Sequence, residues 1–195
     1  EFRRVLFRSP HGIRDFDFNA TLQAAVHEVF PRALQQRGAL PSRPVIRALL
    51  AMGSVGTIGH SGGSDIDYWV VYDEAALNAT ERTLLARKVE AIGNWTRDRG
   101  LDAHFFLVDT ERARRNDFGK ASENAESSGT AMGRLLKEEF YRTAIYLCGD
   151  LPLWWTVPLG LDETEYDRLA QLQANPNVPL VPGLSFVDQI GRAHV

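Results

Sequence analysis

The chain has 195 residues, of which 44% are apolar and 10% aromatic, and its formal net charge is −3. This length and composition predict one globular domain with a substantial core. Proteins that bind nucleic acid by neutralising phosphates are normally basic, so the acidic balance argues against a nucleic-acid partner. The single cysteine, Cys148, excludes an internal disulfide, and no apolar run reaches the roughly 18 residues of a membrane span. We therefore expect a cytoplasmic protein without a membrane span.

The two ends of the chain look like in-frame translations of the two strands of a sequencing adapter. They are residues 1–9 (EFRRVLFRS) and 190–195 (IGRAHV), and we exclude them from the fold prediction. Without their four arginines and one glutamate the net charge changes from −3 to −6. We expect a folded domain at 10–175 and a proline-containing linker or the start of a next segment at 176–189, in a fragment of a longer protein.

The first half of the chain predicts a helix and two strands separated by a glycine-rich turn. The helix begins at Asn19, a preferred N-cap residue, and its apolar residues recur at helical spacing, interrupted by Pro31, until Gly38. Branched aliphatic residues at 45–52 predict a buried strand. Residues 53–64 hold five glycines, which exclude a regular element. The next strand, at 65–71, alternates carboxylates with apolar residues.

A second helix and a third strand follow. Apolar residues recur at helical spacing over 80–99, and we predict Thr80 as the N-cap and Gly100 as the residue just past the end. The residues at 101–108 alternate as a strand does, with apolar side chains on one face. The other face carries Asp102, His104 and Phe106.

The rest of the chain predicts a loop and two more helices. Residues 116–130 are polar and form a long loop, a possible lid over a site. Apolar residues at helical spacing predict a helix at 134–148, which Gly149 ends. An aromatic run bounded by prolines lies at 151–158, and 164–173 predicts a short helix.

Two carboxylates, Asp65 and Asp67, follow the glycine-rich turn. Because side chains alternate along a strand, they point the same way, about 7 Å apart. If the strand of Asp102 lies beside them, its carboxylate completes a cluster of three, and like charges so close repel strongly. Two Mg²⁺ ions about 3.5–4 Å apart would resolve this conflict, while the small Gly53-Ser54 turn can offer backbone N–H groups to a phosphate. The sequence therefore predicts phosphoryl-group chemistry, although an Asp-x-Asp after glycines is often only a solvated turn.

Eight short stretches extend this pattern along the chain. They are 52–54 (MGS), 64–70 (SDIDYWV), 87–88 (RK), 94–95 (NW), 105–109 (FFLVD), 139–144 (EFYRTA), 153–154 (LW) and 157–158 (VP). The Gly-Ser turn, the Asp-x-Asp strand, the helix and the strand that opens with an acid resemble the DNA polymerase beta-like nucleotidyltransferase superfamily. Over most of 45–160, the chain is similar to the amino-terminal catalytic region of bacterial class I adenylate cyclases.

This resemblance implies an α/β (α+β) fold, a small mixed sheet flanked by helices, and an enzyme that converts ATP to 3′,5′-cyclic AMP and pyrophosphate. The residues that would hold the metal ions, Mg²⁺ or alternatively Mn²⁺, are Asp65, Asp67 and Asp102. The residues that would contact the nucleotide are Gly53, Ser54, Ser64, Lys88 and Arg142. The chain departs from the family in its turn, where His60 and Gly62-Gly63 stand at positions expected to be mostly serine.

Some of these candidates have an equally ordinary structural explanation. Lys88 and its neighbour Arg87 suit a triphosphate, but an exposed helix face explains them as well. Arg142 lies at helical spacing from other charged residues, which usually indicates surface pairing. His60 and His104 are more often hydrogen-bonded structural residues than metal ligands.

The carboxylates alone leave three functions open. The first is the adenylate cyclase reaction, in which the acceptor hydroxyl belongs to ATP itself. The alternative is a nucleotidyltransferase that moves AMP to a hydroxyl of a small molecule or a protein. The second alternative is a non-catalytic nucleotide-binding regulatory module, for which the loss of one acid would be the expected mark.

Overall fold

The computed structural model describes residues 9–13, 16, 19–30, 44–114, 117–118, 139–140, 142–152, 161–174 and 186–187. In chain order the helices are α1 (Ala20–Val29), α2 (Ala79–Arg97), α3 (Thr110–Arg114) and α4 (Glu163–Ala174). The strands are β1 (Ile46–Met52), β2 (Ile66–Tyr72), β3 (Ala103–Asp109), β4 (Ile145–Gly149), β5 (Leu151–Pro152) and β6 (Phe186–Val187). The predicted strands at 45–52, 65–71 and 101–108 are confirmed within two residues at each end.

Four strands form a mixed sheet in the order β3-β2-β1-β4. Strand β1 is antiparallel to both of its neighbours, whereas β2 and β3 are parallel. Two parallel strands cannot be joined by a tight turn, and α2 supplies the crossover between them. The predicted α+β fold, a small mixed sheet with flanking helices, is confirmed. Strands β5 and β6 form a separate parallel pair.

One face of the sheet carries the main hydrophobic core. Trp69, in the middle of β2, is 2% exposed, and its ring lies 5.1 Å from that of Phe118 and 5.0 Å from that of Phe140. The other buried members of this cluster are Ala48, Leu50, Met52, Val71, Val108 and Ala113. Large aromatic side chains bury about 150–250 Å² each, so the contacts around Trp69 dominate the packing of this face.

Helix α2 covers the opposite face of the sheet. Its Leu85 is fully buried and packs with Tyr72 and Leu77. Farther along the helix, a Cβ at Gly93 would lie 3.3 Å from the carbonyl oxygen of Ala103. The missing side chain at Gly93 therefore lets the helix approach β3 closely.

The N-terminus of α2 lies earlier than the sequence predicted. The N-cap is Asn78, whose side chain accepts from the Glu81 backbone N–H at 3.0 Å, while the Glu81 carboxylate accepts from the Asn78 N–H at 2.9 Å. This reciprocal capping box satisfies two backbone donors, which explains why Asn78 rather than Thr80 starts the helix. At the other end Gly100 has φ 77°, as its predicted place past the helix requires.

Helix α1 begins as predicted and ends just before the predicted interruption at Pro31. Asn19 accepts a hydrogen bond from the Leu22 N–H at 3.0 Å, and the helix ends at Val29. Residues that precede a proline disfavour helical geometry, and Phe30 comes just before Pro31. The Phe30 ring stacks 5.2 Å from that of Trp95 and so attaches this end of α1 to α2. The predicted continuation to Gly38 lies outside the described residues.

The predicted helix at 134–148 is wrong in its last part. Residues 139–140 and 142–143 are helical, but 145–149 form β4, which pairs antiparallel with β1. The run Ile145-Tyr146-Leu147-Cys148 is branched and aromatic, which favours a strand once β1 offers an unpaired edge. Gly149 ends this strand and not a helix.

Some of the predictions for the C-terminal part of the chain are confirmed, and others fall outside the described residues. The short helix predicted at 164–173 is confirmed as α4, and the predicted linker contains β6, which pairs with β5. Of the predicted loop at 116–130 the structure describes Asp117 and Phe118, and the aromatic residues at 153–158 lie outside the described part. Across the described residues, no helix is both long enough and apolar enough to cross a membrane.

The sharpest packing constraint in the sheet is at Gly149. Its φ is +101°, and a Cβ there would overlap the Arg47 carbonyl oxygen and lie 2.6 Å from the Ala48 Cα. Gly149→Ala is therefore expected to lower the free energy of unfolding by about 2–4 kcal/mol, since it combines overpacking with positive-φ strain. Urea unfolding followed by circular dichroism measures this loss.

The matched control for that substitution is Gly100→Ala. Gly100 also has a positive φ, but a Cβ there would have nothing within 4 Å. Its replacement should cost only the backbone strain, about 1–2 kcal/mol. Equal losses for the two variants would contradict the packing explanation.

Candidate active site

The acids predicted from the sequence lie together at one edge of the sheet. Asp65 directly precedes β2, Asp67 is the second residue of β2, and Asp102 directly precedes β3. The Ile66 N–H donates to the Asp102 carbonyl oxygen at 2.9 Å, which fixes the beginnings of the two strands side by side. We call Asp65, Asp67 and Asp102 the acidic edge.

A histidine shares this edge with the acids. His104 stands opposite Asp67 in the parallel register of β2 and β3. Its Nε2 lies 3.1 Å from Oδ1 of Asp102, and both side chains are substantially exposed. The sequence placed Asp102 and His104 on one strand face, and the contact between their side chains agrees with that placement.

The carboxylate of Asp67 is in an unfavourable setting. Burial raises the pKa of Asp67 above 3.8, and the charge of Asp65 raises it further, followed by the smaller effects of Glu139 and Asp102. His104 acts in the opposite direction and lowers this pKa. The folded protein therefore disfavours the charged form of Asp67. A cation bound nearby would stabilise that charged form.

Glu139 is a charge acting on Asp67 that sequence reasoning did not select. It precedes Phe140, whose ring packs on Trp69, and Trp69 lies two residues after Asp67 on the same face of β2. We call residues 139–140 and 142–143 the Phe140 turn. The signal was present in the sequence, because Glu139 opens the 139–144 stretch that carries the family resemblance.

The turn between β1 and β2 is held by its own hydrogen bonds. Met52, the last residue of β1, stands opposite Asp67, so the turn leaves and rejoins the sheet at the acidic edge. Gly53 has φ 90°, a conformation that favours glycine. The Ser54 carbonyl accepts from both the backbone N–H and the hydroxyl of Thr57, at 3.0 and 2.8 Å.

A second small turn leads directly into the acids. The Ser64 N–H donates to the Ser61 carbonyl at 3.0 Å, and the Ser61 N–H donates to the Ser64 Oγ at 3.0 Å. Ser64 is the residue before Asp65. The predicted nucleotide contacts Gly53, Ser54 and Ser64 thus belong to one segment, residues 53–64, beside the acidic edge.

The two predicted basic contacts lie in different places. Lys88 belongs to α2, on the opposite face of the sheet from Asp67, and its Nζ donates to the Pro10 carbonyl at 2.7 Å. Burial lowers the pKa of Lys88 to about 8. The structure therefore does not bring Lys88 to the acidic edge. Arg142 is exposed on the Phe140 turn, the same segment that carries Glu139.

The described residues do not form a complete metal cage. No three His, Cys, Asp or Glu side chains within them are close enough together to hold a metal ion. Mg²⁺, however, is usually held by one or two carboxylates together with substrate phosphates. Asp65 and Asp67 meet that requirement, and the raised pKa of Asp67 fits a position where a cation would compensate the charge.

Comparison with known families decides the identity of this region. The family described as "Adenylate cyclase NT domain" matches residues 5–155, a span that holds all four strands of the main sheet and the acidic edge. The chain belongs to this family.

Relatives of this adenylate cyclase N-terminal domain agree with the assignment. The protein named adenylate cyclase of Escherichia coli (strain K12) is 40% identical over 138 residues, which cover 71% of the chain and 15% of the relative. The adenylate cyclase of Yersinia intermedia is 37% identical over 163 residues, which cover 81% of the chain and 18% of the relative. The adenylate cyclase of Yersinia pestis is 36% identical over 172 residues, which cover 85% of the chain and 19% of the relative. The chain thus spans less than one fifth of the length of these relatives.

The charge of Asp67 has a consequence for the stability of the domain without metal. Because the folded state raises this pKa, the folded state binds the proton more tightly, and stability falls as pH rises from 3.8 through the folded value. At pH 7 the charge penalises the folded state. Asp67→Asn is therefore expected to raise the melting temperature in EDTA at pH 7, and to raise it less at pH 4.

The control for this measurement is Asp98→Asn, which removes an exposed acid at the C-terminal end of α2. This variant should leave the melting temperature nearly unchanged at both pH values. Scanning calorimetry of the three proteins measures the effect. A lower melting temperature for Asp67→Asn at pH 7 would contradict the unfavourable setting of Asp67.

Proposed function

We propose that this domain binds ATP and a divalent cation at the acidic edge and converts ATP to 3′,5′-cyclic AMP and pyrophosphate. Membership of the family supports this proposal, as do relatives that carry the name adenylate cyclase. The relatives are five or more times longer than the matched region, so other parts of such a protein can contribute to the reaction. The cytoplasm, where ATP is available, is the compartment that this reaction requires.

The observation that carries the proposal is the setting of Asp67, a half-buried carboxylate next to Asp65 at the acidic edge. Burial, the Asp65 charge and the Glu139 charge all act against the ionised form of this carboxylate. Carboxylates that share one edge of a fold, one of them with its pKa raised by burial and by a neighbouring acid, are typical of functional sites. A hard divalent cation is the natural partner for them, and we propose Mg²⁺, with Mn²⁺ as the alternative.

In this proposal Asp65 and Asp67 hold the cations together with phosphate oxygens of ATP, and Asp102 is the third candidate ligand. When bound, two such ions would make the 3′-hydroxyl more acidic and stabilise the charge that develops on pyrophosphate. In the described structure the Asp102 carboxylate lies 3.1 Å from Nε2 of His104. Any role of Asp102 as a ligand would compete with that contact.

The residues of the chain bind and orient the substrate. The backbone N–H groups of Gly53 and Ser54 can hold the triphosphate, and Arg142 can add a positive charge from the Phe140 turn. The ribose 3′-oxygen then forms a bond to the α-phosphorus while the bond from that phosphorus to the pyrophosphate oxygen breaks, and the hydroxyl proton is released. Because the nucleophile belongs to ATP, the reaction needs no nucleophilic Ser, Cys or His.

The test is incubation of the chain with ATP and Mg²⁺ and no added acceptor, with cyclic AMP and pyrophosphate measured by chromatography. We expect both products in equal amounts. Asp67→Asn should reduce the rate at least about a hundredfold, the loss of about 3 kcal/mol of transition-state stabilisation. Asp98→Asn, which removes an exposed acid that is not part of the acidic edge, should keep the rate of the unsubstituted chain.

Other products would point to the other functions. Pyrophosphate that forms only after addition of a hydroxyl acceptor would contradict cyclisation and support transfer of AMP. Binding of ATP without any product, both by this chain and by a full-length relative, would support a regulatory module. Equal rates for Asp67→Asn and the unsubstituted chain would contradict the assignment of the acidic edge as the site.

A further inference from the structure

His60 contacts Ser54 across the turn between β1 and β2. The Nδ1 atom of His60 lies 3.3 Å from the Ser54 Oγ, six residues away in the chain. The imidazole ring is exposed, whereas Ser54 is half-buried at the end of β1. The contact therefore joins a residue of the proposed phosphate site to a side chain that solvent or a ligand can reach.

The backbone holds the two residues in this position. Thr57 donates its N–H and its hydroxyl to the Ser54 carbonyl, and its own carbonyl accepts from the His60 N–H at 3.2 Å. The Gly59 N–H donates to the Thr57 Oγ1 at 3.2 Å and completes the frame. Because Thr57 links both ends of the segment, the contact between the side chains is set by the fold of the turn.

We infer that His60 is a positioning residue that holds the Ser54 hydroxyl toward the triphosphate of the nucleotide. A serine hydroxyl rotates among several orientations, and a hydrogen bond to its oxygen selects one of them. A ring with its proton on Nδ1 donates to Ser54 Oγ and leaves the hydroxyl proton of Ser54 to donate to a phosphate oxygen. This inference rests on the proposed function, because it assigns Ser54 to the triphosphate.

The role predicts a specific effect on phosphate affinity. Removing one hydrogen bond changes an equilibrium by about 1 kcal/mol, which is about fivefold. His60→Ala should therefore weaken the binding of Mg²⁺-loaded inorganic triphosphate about fivefold and raise the KM for ATP similarly, with little change in kcat. His60→Asn should restore affinity, because the asparagine amide places a donor about where Nδ1 stands.

The experiment is a double-mutant cycle on the full chain, with His60→Ala, Ser54→Ala and the double variant. Isothermal titration calorimetry with inorganic triphosphate and Mg²⁺ measures the dissociation constants, and thermal melting confirms that each variant folds. If His60 acts through Ser54, the double variant should bind as weakly as Ser54→Ala alone. A structural role elsewhere in the turn would give losses that add.

Each outcome bears on the inference separately from the proposed function. Unchanged affinity of His60→Ala, additive losses, no rescue by His60→Asn, or no triphosphate binding by the unsubstituted chain would each overturn the role of His60. Coupled losses of phosphate affinity in a chain that makes no cyclic AMP would sustain the role of His60 and overturn the proposed reaction. Cyclic AMP formation without coupling between His60 and Ser54 would overturn the role of His60 and sustain the proposed reaction.

Discussion

The two-residue period of side chains along β2 is the constraint on which the rest of the structure depends. It places Asp67 and Trp69 on one face, so the charge of the site and the centre of the hydrophobic core are neighbours on one central strand. Phe140 packs on Trp69 and thereby carries Glu139 to within electrostatic reach of Asp67. Burial beside this core, then the charge of Asp65 and to a smaller extent that of Glu139, disfavour the charged form of Asp67, a conflict that a bound cation would relieve.

The parallel pairing of β2 and β3 determines which groups share the acidic edge. Because α2 crosses over between two parallel strands, both strands begin at the same edge of the sheet. Asp102 and His104 therefore stand beside Asp65 and Asp67, while β1 ends at this edge and releases the turn that contains Ser54. The helix that makes the crossover lies on the opposite face, which is why Lys88 contacts Pro10 and not the acids.

The elements predicted well from the sequence are those whose local pattern and tertiary setting agree. Strands β2 and β3 carry a two-residue period and helix α2 a 3.6-residue period, while β1 is a short aliphatic run. The N-cap of α2 was misplaced because Thr80 also suits a cap, and only the reciprocal bonds of Asn78 and Glu81 distinguish them. Strand β4 was missed because its residues continue a helical apolar pattern and become a strand only through pairing with β1, a contact between distant parts of the chain. Glu139 was missed for the same reason, since Phe140 packing on Trp69 brings it to Asp67.

The central claim is that a divalent cation binds where β1 ends and β2 and β3 begin. Titration of isotope-labelled chain with Mn²⁺, followed by paramagnetic broadening of backbone amide signals, tests it most directly. The account predicts that substoichiometric Mn²⁺ first broadens the signals of residues 64–68 together with His104, and that excess Mg²⁺ reverses the broadening. Broadening centred instead on other acids, such as Glu74 and Asp109 at the far end of the parallel strands, or no selective broadening at all, would contradict it.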